Sequence, residues 1–443
     1  MSNTSHQPTS PAPTTTAPTT TATVGDELEL DITNVAHGGI FIARHEGRVI
    51  FVSDTLPGER VRARLTEANH KSFWRAETVA VIDAAPERQP HIWNAASVER
   101  APEDRAGGAE FGHIELSVQR EFKRQVLADA LQRMAGLETS VVVEPVAVSA
   151  KASPGDAMDG TGWRTRVRLH VAADGTIGPY AARSHRVIPV DDLPLAEHEL
   201  ELRAPLDTLF HNAASVDLVA PSKGDVQVLV AAKDVNGKPK RVPHGLIHEI
   251  VADREFELDR SGFWQVHSMA AETLYRAVQD IIDPAAFDPR ASNLDLYGGV
   301  GLLAAAVGDK FGQSTRITSV ESDPDAVAFA ARNLKEWAGA TAEADRVDRF
   351  LQRLLREADA AERARLAAAT VVLDPPRSGA GKAVVDQLVA LAPQQIVYVA
   401  CDPVALARDV ALFQKQGYEL RTLRAFDLFP NTHHVEAVAL LCK

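Results

Sequence analysis

Three side chains able to act as acid, base or nucleophile stand beside short apolar runs in the last third of the chain. Asp374 and Cys401 each follow such a run, and Glu436 shortly precedes another. These runs predict buried strands, and ligands bind at strand ends in open α/β sheets. A thiolate is a nucleophile, and a nearby carboxylate is a candidate general base. The pattern therefore predicts that Cys401 attacks a substrate covalently and that Glu436 moves a proton.

A glycine-rich turn upstream suits a nucleotide-like cofactor. It reads Asp295-Leu296-Tyr297-Gly298-Gly299-Val300-Gly301 and leads from a predicted strand into an apolar helix. Glu321 ends the next predicted strand, where a carboxylate can accept hydrogen bonds from ribose hydroxyls. The turn and the acidic residue predict an adenosine-containing cofactor. They leave a dinucleotide and S-adenosylmethionine equally open.

The segment Asp374-Pro375-Pro376-Arg377 decides between these two cofactors. A proline pair alone could simply stiffen a loop. An Asp-Pro-Pro after an apolar strand, downstream of a glycine turn and a ribose acid, is typical of methyltransferases that act on planar nitrogenous rings. The sequence therefore favours S-adenosylmethionine.

The elements that must position these residues form a doubly wound, Rossmann-like α/β domain. From Trp264 onward, apolar runs of strand length alternate with helical stretches. The domain boundaries predicted from composition and periodicity are a disordered tail at residues 1–23, a small β-barrel at 24–85, a central β-rich domain at 86–262 and the α/β domain at 263–443. The central region includes an amphipathic helix near residues 117–135, with apolar residues at helical spacing.

Composition excludes several classes of protein. The chain has 443 residues, a net charge of −13 and 45% hydrophobic residues, which are ordinary values for a globular protein. Its two cysteines, Cys401 and Cys442, cannot build a disulfide framework, and Cys442 is predicted to be structural. There is no apolar run of the roughly 20 residues that a membrane span needs, and no signal peptide. We therefore expect a soluble protein of the reducing cytoplasm.

The chain contains local runs of basic residues despite its negative net charge. Arg164, Arg166 and Arg168 alternate, which on a strand places them on one face. Similar runs at residues 60–75 and 233–241 raise the expectation of a surface that contacts a phosphate backbone.

Taken together, these motifs resemble the RNA uridine-5-methyltransferases, the family that makes 5-methyluridine in tRNA or 23S rRNA. The N-terminal region resembles the family's TRAM/OB-like RNA-binding barrel, with Gly38-Gly39 and Pro57-Gly58-Glu59. Ser117 to Leu127 resembles the helix before its central domain, and Phe263-Trp264-Gln265-Val266 resembles the opening of its catalytic domain. The resemblance covers most of the chain.

The resemblance implies a role for each site residue. Cys401, followed by Pro403 and Arg408-Asp409, matches the nucleophile motif, and Glu436 in His-x-Glu matches the base. The implied S-adenosylmethionine contacts are those of Gln265, Tyr297, Glu321 and Asp374. The implied partner is RNA, either 23S rRNA or tRNA, with no membrane and no obligate protein partner.

Some positions depart from the family pattern. Many members hold an iron–sulfur cluster on four cysteines, but residues 90–112 contain none, so no cluster and no metal are expected. Gly298 stands where the family often has Cys, and Leu302 where several members have Asn. Asp402 and Ala405 replace the usual Asn and Thr beside the nucleophile.

Three other functions are weighed against this one. An RNA amino-methyltransferase would use the Asp-Pro-Pro motif but needs neither Cys401 nor Glu436. A dehydrogenase would explain only the glycine turn. An RNA-binding protein that retains the fold without turnover is favoured only by the altered residues of the glycine turn.

Overall fold

A computed structural model of the chain describes residues 22–70, 72–147 and 156–443. The stretch predicted to be a disordered tail, residues 1–23, lies outside the described residues except for its last two positions. No helix within the described ranges is both long and apolar enough to cross a bilayer.

The first five strands close into a barrel, which confirms the predicted N-terminal fold. The strand order is β1–β2–β3–β5–β4, and β4 pairs back onto β1. Apolar residues alternate with polar ones, so that β4 buries Val61, Ala63 and Leu65 inside the barrel. The strands are β1 (Glu27–Ala36), β2 (Ile40–His45), β3 (Arg48–Ser53), β4 (Arg60–Glu67) and β5 (Phe73–Asp83).

The arginines on the barrel surface are paired with carboxylates of the barrel and of the segment that follows it. Arg60 lies 2.7 Å from Glu29 and Arg62 lies 3.1 Å from Glu27 on the neighbouring strand. Arg64 contacts Glu77 and Glu103, both at 2.8 Å. The positive run predicted from the sequence is therefore largely neutralised on the folded surface.

The central region forms an antiparallel sheet and a separate hairpin. The sheet has the order β10–β9–β7–β8, and β11 pairs only with β12. In chain order the elements are α1 (Leu116–Ala135), β6 (Val143–Pro145), α2 (Asp156–Asp159), β7 (Arg166–Val171), β8 (Ile177–Gly178), α3 (His198–Arg203), β9 (Ala213–Val219), β10 (Gln227–Ala232), β11 (Leu246–Val251) and β12 (Arg254–Asp259).

The C-terminal region is a twisted sheet covered by helices on both faces, as predicted. Its strand order is β15–β14–β13–β16–β17–β19–β18–β6, with β19 antiparallel to its neighbours β17 and β18. The elements are α4 (Ala270–Ile281), β13 (Asn293–Leu296), α5 (Leu302–Phe311), β14 (Ile317–Glu321), α6 (Pro324–Asn333), β15 (Ala340–Ala344), α7 (Val347–Glu357), α8 (Ala360–Ala367), β16 (Thr370–Leu373), α9 (Gly381–Leu391), β17 (Gln395–Ala400), α10 (Pro403–Gln414), β18 (Glu419–Asp427) and β19 (Glu436–Cys442).

Helix α1 connects the barrel to the C-terminal sheet. Phe122 packs in the barrel core, while Leu127 and Leu131 pack in the core of the α/β region. Strand β6 follows α1 and adds to the sheet beside β18. Chain from the predicted central region therefore completes the C-terminal sheet.

Candidate active site

The parallel strands end side by side and bring most of the predicted site residues to one edge of the sheet. Leu296 in β13 pairs with Val320 in β14 and with Leu373 in β16, and Leu373 pairs with Tyr398 in β17. The residues that end or follow these strands are Tyr297, Glu321, Asp374 and Cys401. This carboxyl edge is the ligand-binding edge of such sheets.

The antiparallel strand β19 brings Glu436 to Cys401. The pairing of β17 with β19 runs from Gln395 opposite Cys442 to Ala400 opposite Ala437. One further step in the same register places Cys401 opposite Glu436, and directly opposed residues have Cβ atoms about 4.5–5.5 Å apart. The same register separates the two cysteines, because Cys442 faces the other end of β17.

Burial favours the neutral forms of two carboxyl groups at this edge. Glu436 is 3% exposed, and burial together with the charge of Asp374 raises its pKa well above the ordinary value, while Arg377 opposes the shift. Burial and the nearby Asp295 raise the pKa of Asp374 to about 7. In the ligand-free protein, burial therefore shifts the Glu436 side chain toward its neutral form.

The same environment suppresses the Cys401 thiolate. Burial, Glu436 and Asp374 raise the pKa of the thiol to about 12, and Arg377 alone among the nearest charges lowers it. The thiol is thus protonated in the ligand-free protein, and Arg377 is the cation placed to stabilise the thiolate.

We expect alkylation of Cys401 to be slow and to accelerate with pH. Between pH 7 and pH 10 the rate should rise about tenfold per pH unit, because each unit raises the thiolate fraction of a group with pKa 12 tenfold. At pH 8 the rate should be about 10³-fold below that of a small free thiol. Iodoacetamide labelling of a Cys442→Ser variant, followed by mass spectrometry, measures this rate. A plateau below pH 8 would contradict the raised pKa.

Arg377 is oriented by a histidine from the loop before β19. Its Nη2 lies 3.3 Å from Nε2 of His434. Burial, with His433 and Arg377 nearby, lowers the pKa of His434 to about 3, so the ring is neutral. Since guanidinium groups only donate, the ring nitrogen accepts and its proton lies on Nδ1.

Asp409 anchors the loop that follows Asp374-Pro375-Pro376-Arg377. Its buried Oδ2 accepts hydrogen bonds from the Ala380 and Gly381 N–H groups at 2.8 and 3.2 Å, and from the Tyr398 hydroxyl at 2.8 Å. Its Oδ1 accepts from Arg408. The sequence offered Asp409 only as part of a motif, whereas the structure shows which donors it binds.

Asp409→Ala should lower the free energy of unfolding by about 3 kcal/mol, because it leaves buried donors without an acceptor. Urea denaturation measures the change. The matched control is Asp386→Ala, which removes an exposed helical pair with Lys382 and should cost less than about 0.5 kcal/mol. Equal losses in the two variants would show that Asp409 does not anchor the loop.

Helix α1 clamps the loop that leads to Glu436. Gln119 Nε2 donates to Asn431 Oδ1 at 2.9 Å, and Gln119 Oε1 accepts from the Asn431 N–H at 2.8 Å. Lys123, also buried, donates from Nζ to Asp427 Oδ1 at 2.5 Å and to the Phe429 carbonyl at 2.9 Å. Sequence reasoning missed these contacts, although two polar residues four positions apart on a buried helix face are an available signal.

The glycine turn and Glu321 form a cradle that suits an adenosine group. The Glu321 carboxylate accepts hydrogen bonds from the backbone of Ser322 and Asp323, and Gly299 N–H lies 3.3 Å from its other oxygen. Gly299 has a φ of +53°, and a Cβ at this position would meet no atom within 4 Å, so its backbone is open to a ligand. Tyr297, half-buried, also has a positive φ of 63°.

The glycine at position 298 has a packing reason. A Cβ there would lie 2.1 Å from Ser319 Oγ and 2.5 Å from Asp295 Oδ2. Those two side chains share a 2.9 Å hydrogen bond, and Asp295 is fully buried. This departure from the family pattern therefore fits its surroundings and removes no reactive group.

Gln265 belongs to a different segment, the one before α4. The side chain of its neighbour Trp264 packs in the same core cluster as Val300 and Leu303, which follow the glycine turn. Gln265 itself is half-buried. No strand end carries it, and its contact with the cofactor stays a prediction.

The arginines near residue 166 line a separate cavity of about 550 Å³ beside the Gln265 segment. Arg164 and Arg166 are largely buried; Arg166 donates to the Gly262 carbonyl at 2.7 Å. Arg168 is exposed and paired with Asp217 at 2.7 Å. All three line the cavity, but Arg164 precedes β7, and Val167 and Leu169 line the cavity as well, so the shared face stays a prediction. Within the described ranges, no group of three or more His, Cys, Asp or Glu side chains could hold a metal ion.

Comparisons with known proteins agree with this architecture. A family model described as tRNA (Uracil-5-)-methyltransferase matches residues 251–443, and a TRAM domain model matches residues 21–74. The chain is 38% identical to an uncharacterized RNA methyltransferase of Streptomyces avermitilis, over 94% of this chain and 98% of that one.

Two further similarities involve proteins with named reactions. The chain is 28% identical to the 23S rRNA (uracil(1939)-C(5))-methyltransferase RlmD of a Shewanella strain, over 91% of this chain and 93% of that one. A crystal structure of the Pyrococcus abyssi tRNA (uracil-54, C5)-methyltransferase with S-adenosyl-L-homocysteine shares the fold. Its TM-score is 0.65 at 21% identity, over 93% of this chain and 99% of that one. The chain thus belongs to the S-adenosylmethionine-dependent RNA uracil-5-methyltransferase family.

Proposed function

We propose that this protein methylates carbon 5 of a uridine in tRNA or 23S rRNA, with Cys401 bonding transiently to carbon 6 of the base. The observation that carries the proposal is the register of β17 and β19, which ends with Ala400 opposite Ala437, together with the effect of the Glu436 charge on the neighbouring Cys401 thiol. A nucleophile and a buried carboxyl group beside Arg377 are the groups that such a reaction needs. Methylation of an exocyclic nitrogen would need neither Cys401 nor Glu436.

The first chemical step is the addition of the Cys401 thiolate to carbon 6. The bond between sulfur and carbon 6 forms as the double bond between carbons 5 and 6 opens, and the electron pair moves into an enolate. The thiol loses its proton to solvent before attack, and Arg377 stabilises the resulting sulfur anion. Carbon 5 thereby becomes nucleophilic.

S-adenosylmethionine, when bound, supplies an electrophilic methyl group. Glu321 would hold the ribose, Gln265 and Tyr297 would contact the cofactor, and Asp374 would orient both cofactor and pyrimidine. The enolate electron pair on carbon 5 would form the bond to the methyl group, the methyl–sulfur bond of the cofactor would break to leave S-adenosylhomocysteine, and carbon 5 would still carry its hydrogen. Glu436, which must first give its own proton to solvent to act as a carboxylate, then takes the carbon-5 proton, the double bond between carbons 5 and 6 re-forms, and the bond between sulfur and carbon 6 breaks to release the Cys401 thiolate.

The target uridine must leave its base stack to reach a half-buried thiol, as enzymes that act on bases require. The TRAM-like barrel and the cavity lined by Arg164, Arg166 and Arg168 would hold the surrounding RNA. The substrate classes, tRNA and 23S rRNA, are those named for two similar proteins.

A single-turnover assay with tritiated-methyl S-adenosylmethionine tests the proposal. Unmodified tRNA transcripts and 23S rRNA transcripts are incubated separately, and the products are digested to nucleosides. Label in 5-methyluridine supports the proposal and assigns the RNA class. Label in another nucleoside contradicts it and favours an amino-methyltransferase. Cofactor binding without label in either RNA favours an RNA-binding protein without turnover.

A further inference from the structure

The turn between β1 and β2 of the barrel touches both catalytic segments. His37 Nε2 lies 2.9 Å from Oδ2 of Asp402, the residue after Cys401. Two residues later, a Cβ at Gly39 would lie 3.0 Å from the Cβ of His433, in the loop before Glu436. One turn of an RNA-binding module therefore contacts both the residue after Cys401 and the loop before Glu436.

Asp402 has two partners that fix it in place. Its Oδ1 accepts the Ala405 N–H at 2.8 Å and so caps the N-terminus of α10. Its Oδ2 is left for His37, and this hydrogen bond raises the pKa of His37 against the opposing effect of burial. The carboxylate of Asp402, whose negative charge helps to raise the pKa of Cys401, thus accepts a hydrogen bond from the barrel.

The contact at Gly39 leaves no room for a side chain. Gly39 has a φ of +70°, and the direction in which a side chain would project points at the His433 ring. His433 in turn lies 3.4 Å from Glu110, from the segment after the barrel. The turn at residues 37–39 is therefore packed against the loop before Glu436 and does not merely lie near it.

We propose that the β1–β2 turn of the barrel is a positioning element of the active site, and that His37 positions Cys401 by holding Asp402. The proposal rests on the proposed function for the role of Cys401. The barrel then contributes to catalysis as well as to RNA affinity, since it fixes the position from which the Cys401 thiol attacks the uracil. A residue that acts this way changes kcat, whereas a residue that only binds RNA changes affinity.

The test compares His37→Leu, Asp402→Asn and the double variant in the full chain. Asparagine keeps the helix cap but removes the charge. The control is His198→Leu, at the exposed start of α3. The measurements are kcat, the Kd for tRNA and 23S rRNA transcripts, and the alkylation rate of Cys401 without RNA.

We expect His37→Leu to lower kcat about tenfold while the RNA Kd changes less than about twofold, because the loss is in positioning. Alkylation of Cys401 at pH 8 should slow by about threefold, since Asp402 loses a hydrogen-bond donor and its carboxylate then acts more strongly on the thiol. In the Asp402→Asn background both losses should shrink, because His37 acts through that carboxylate.

Three results would overturn the proposal: an unchanged kcat, a loss confined to the RNA Kd, or losses that simply multiply in the double variant. If the wild-type protein makes no 5-methyluridine, the proposed function fails by itself. Alkylation still tests the turn in that case, because equal rates in His37→Leu and His198→Leu would overturn the positioning role without any RNA.

Discussion

Cys401→Ala is expected to abolish both methylation and any covalent protein–RNA complex. The loss in kcat should be at least about 10⁴-fold, since removal of a nucleophile leaves only binding and orientation. The reason is chemical: without sulfur at carbon 6, carbon 5 of uracil is too weak a nucleophile to accept a methyl group. Transcripts containing 5-fluorouridine, which lack a removable proton at carbon 5, should trap the wild-type protein in a complex stable to denaturing gels.

The matched control for this experiment is Cys442→Ala. Cys442 faces the far end of β17, away from the ligand edge, so its replacement should leave the rate within about twofold of wild type. A Cys401→Ala protein that kept more than about one per cent of the methylation rate would show that the reaction needs no covalent step.

Glu436→Gln is expected to stop the reaction one step later. Methyl transfer should still occur, but the proton at carbon 5 has no acceptor, so the methylated adduct should persist. Turnover should fall about 10²–10⁴-fold, the usual contribution of a positioned base. A denaturing gel with labelled tRNA or 23S rRNA transcripts should show a retarded protein–RNA band that is absent for the wild type at steady state.

The same variant should be no less stable than the wild type. The pKa of Glu436 is raised in the folded state, so the folded protein holds a proton that the unfolded chain releases at lower pH. This difference lowers stability as pH rises above the ordinary pKa of a carboxyl group, and glutamine removes it. The melting temperature at pH 7.5 should therefore equal or exceed that of the wild type.

Glu419→Gln serves as the control, because Glu419 is exposed at the start of β18 and pairs with Arg421. It should change neither turnover nor the gel pattern. Rapid and clean turnover by Glu436→Gln would show that another group removes the proton at carbon 5.

Many of the site residues at the carboxyl edge of the sheet could be predicted, because their positions depend on local patterns. An apolar run followed by Asp374 or Cys401 identifies a strand end from a few neighbouring residues, and parallel strand ends lie at one edge of a sheet. The glycine turn and Glu321 could be predicted in the same way, since each stands at the end of a predicted strand. The roles of Gln265 and Tyr297 rest on the family resemblance alone and remain predictions.

The contacts that position this edge could not be predicted, because they join residues far apart in the chain. Gln119 meets Asn431 across 312 positions, and His37 meets Asp402 across 365. Each residue alone is ordinary: a glutamine on a helix, a histidine in a turn. Only the packing of the barrel and α1 against the C-terminal sheet makes these pairs. A local pattern such as the spacing of Gln119 and Lys123 can indicate buried polar residues, but it does not identify their partners.

The placement of β6 has a consequence for how the protein folds during synthesis. Glu144 in β6 contacts Arg424 in its partner strand β18, and the ribosome makes the second residue 280 positions after the first. Until then, the face of α1 that carries Leu127 and Leu131 has no core to cover it. Such distant pairings form slowly, and uncovered apolar surface favours aggregation. A nascent chain arrested before β18 would therefore be a natural client of chaperones, whereas the five strands of the barrel, all made by Asp83, can pair early.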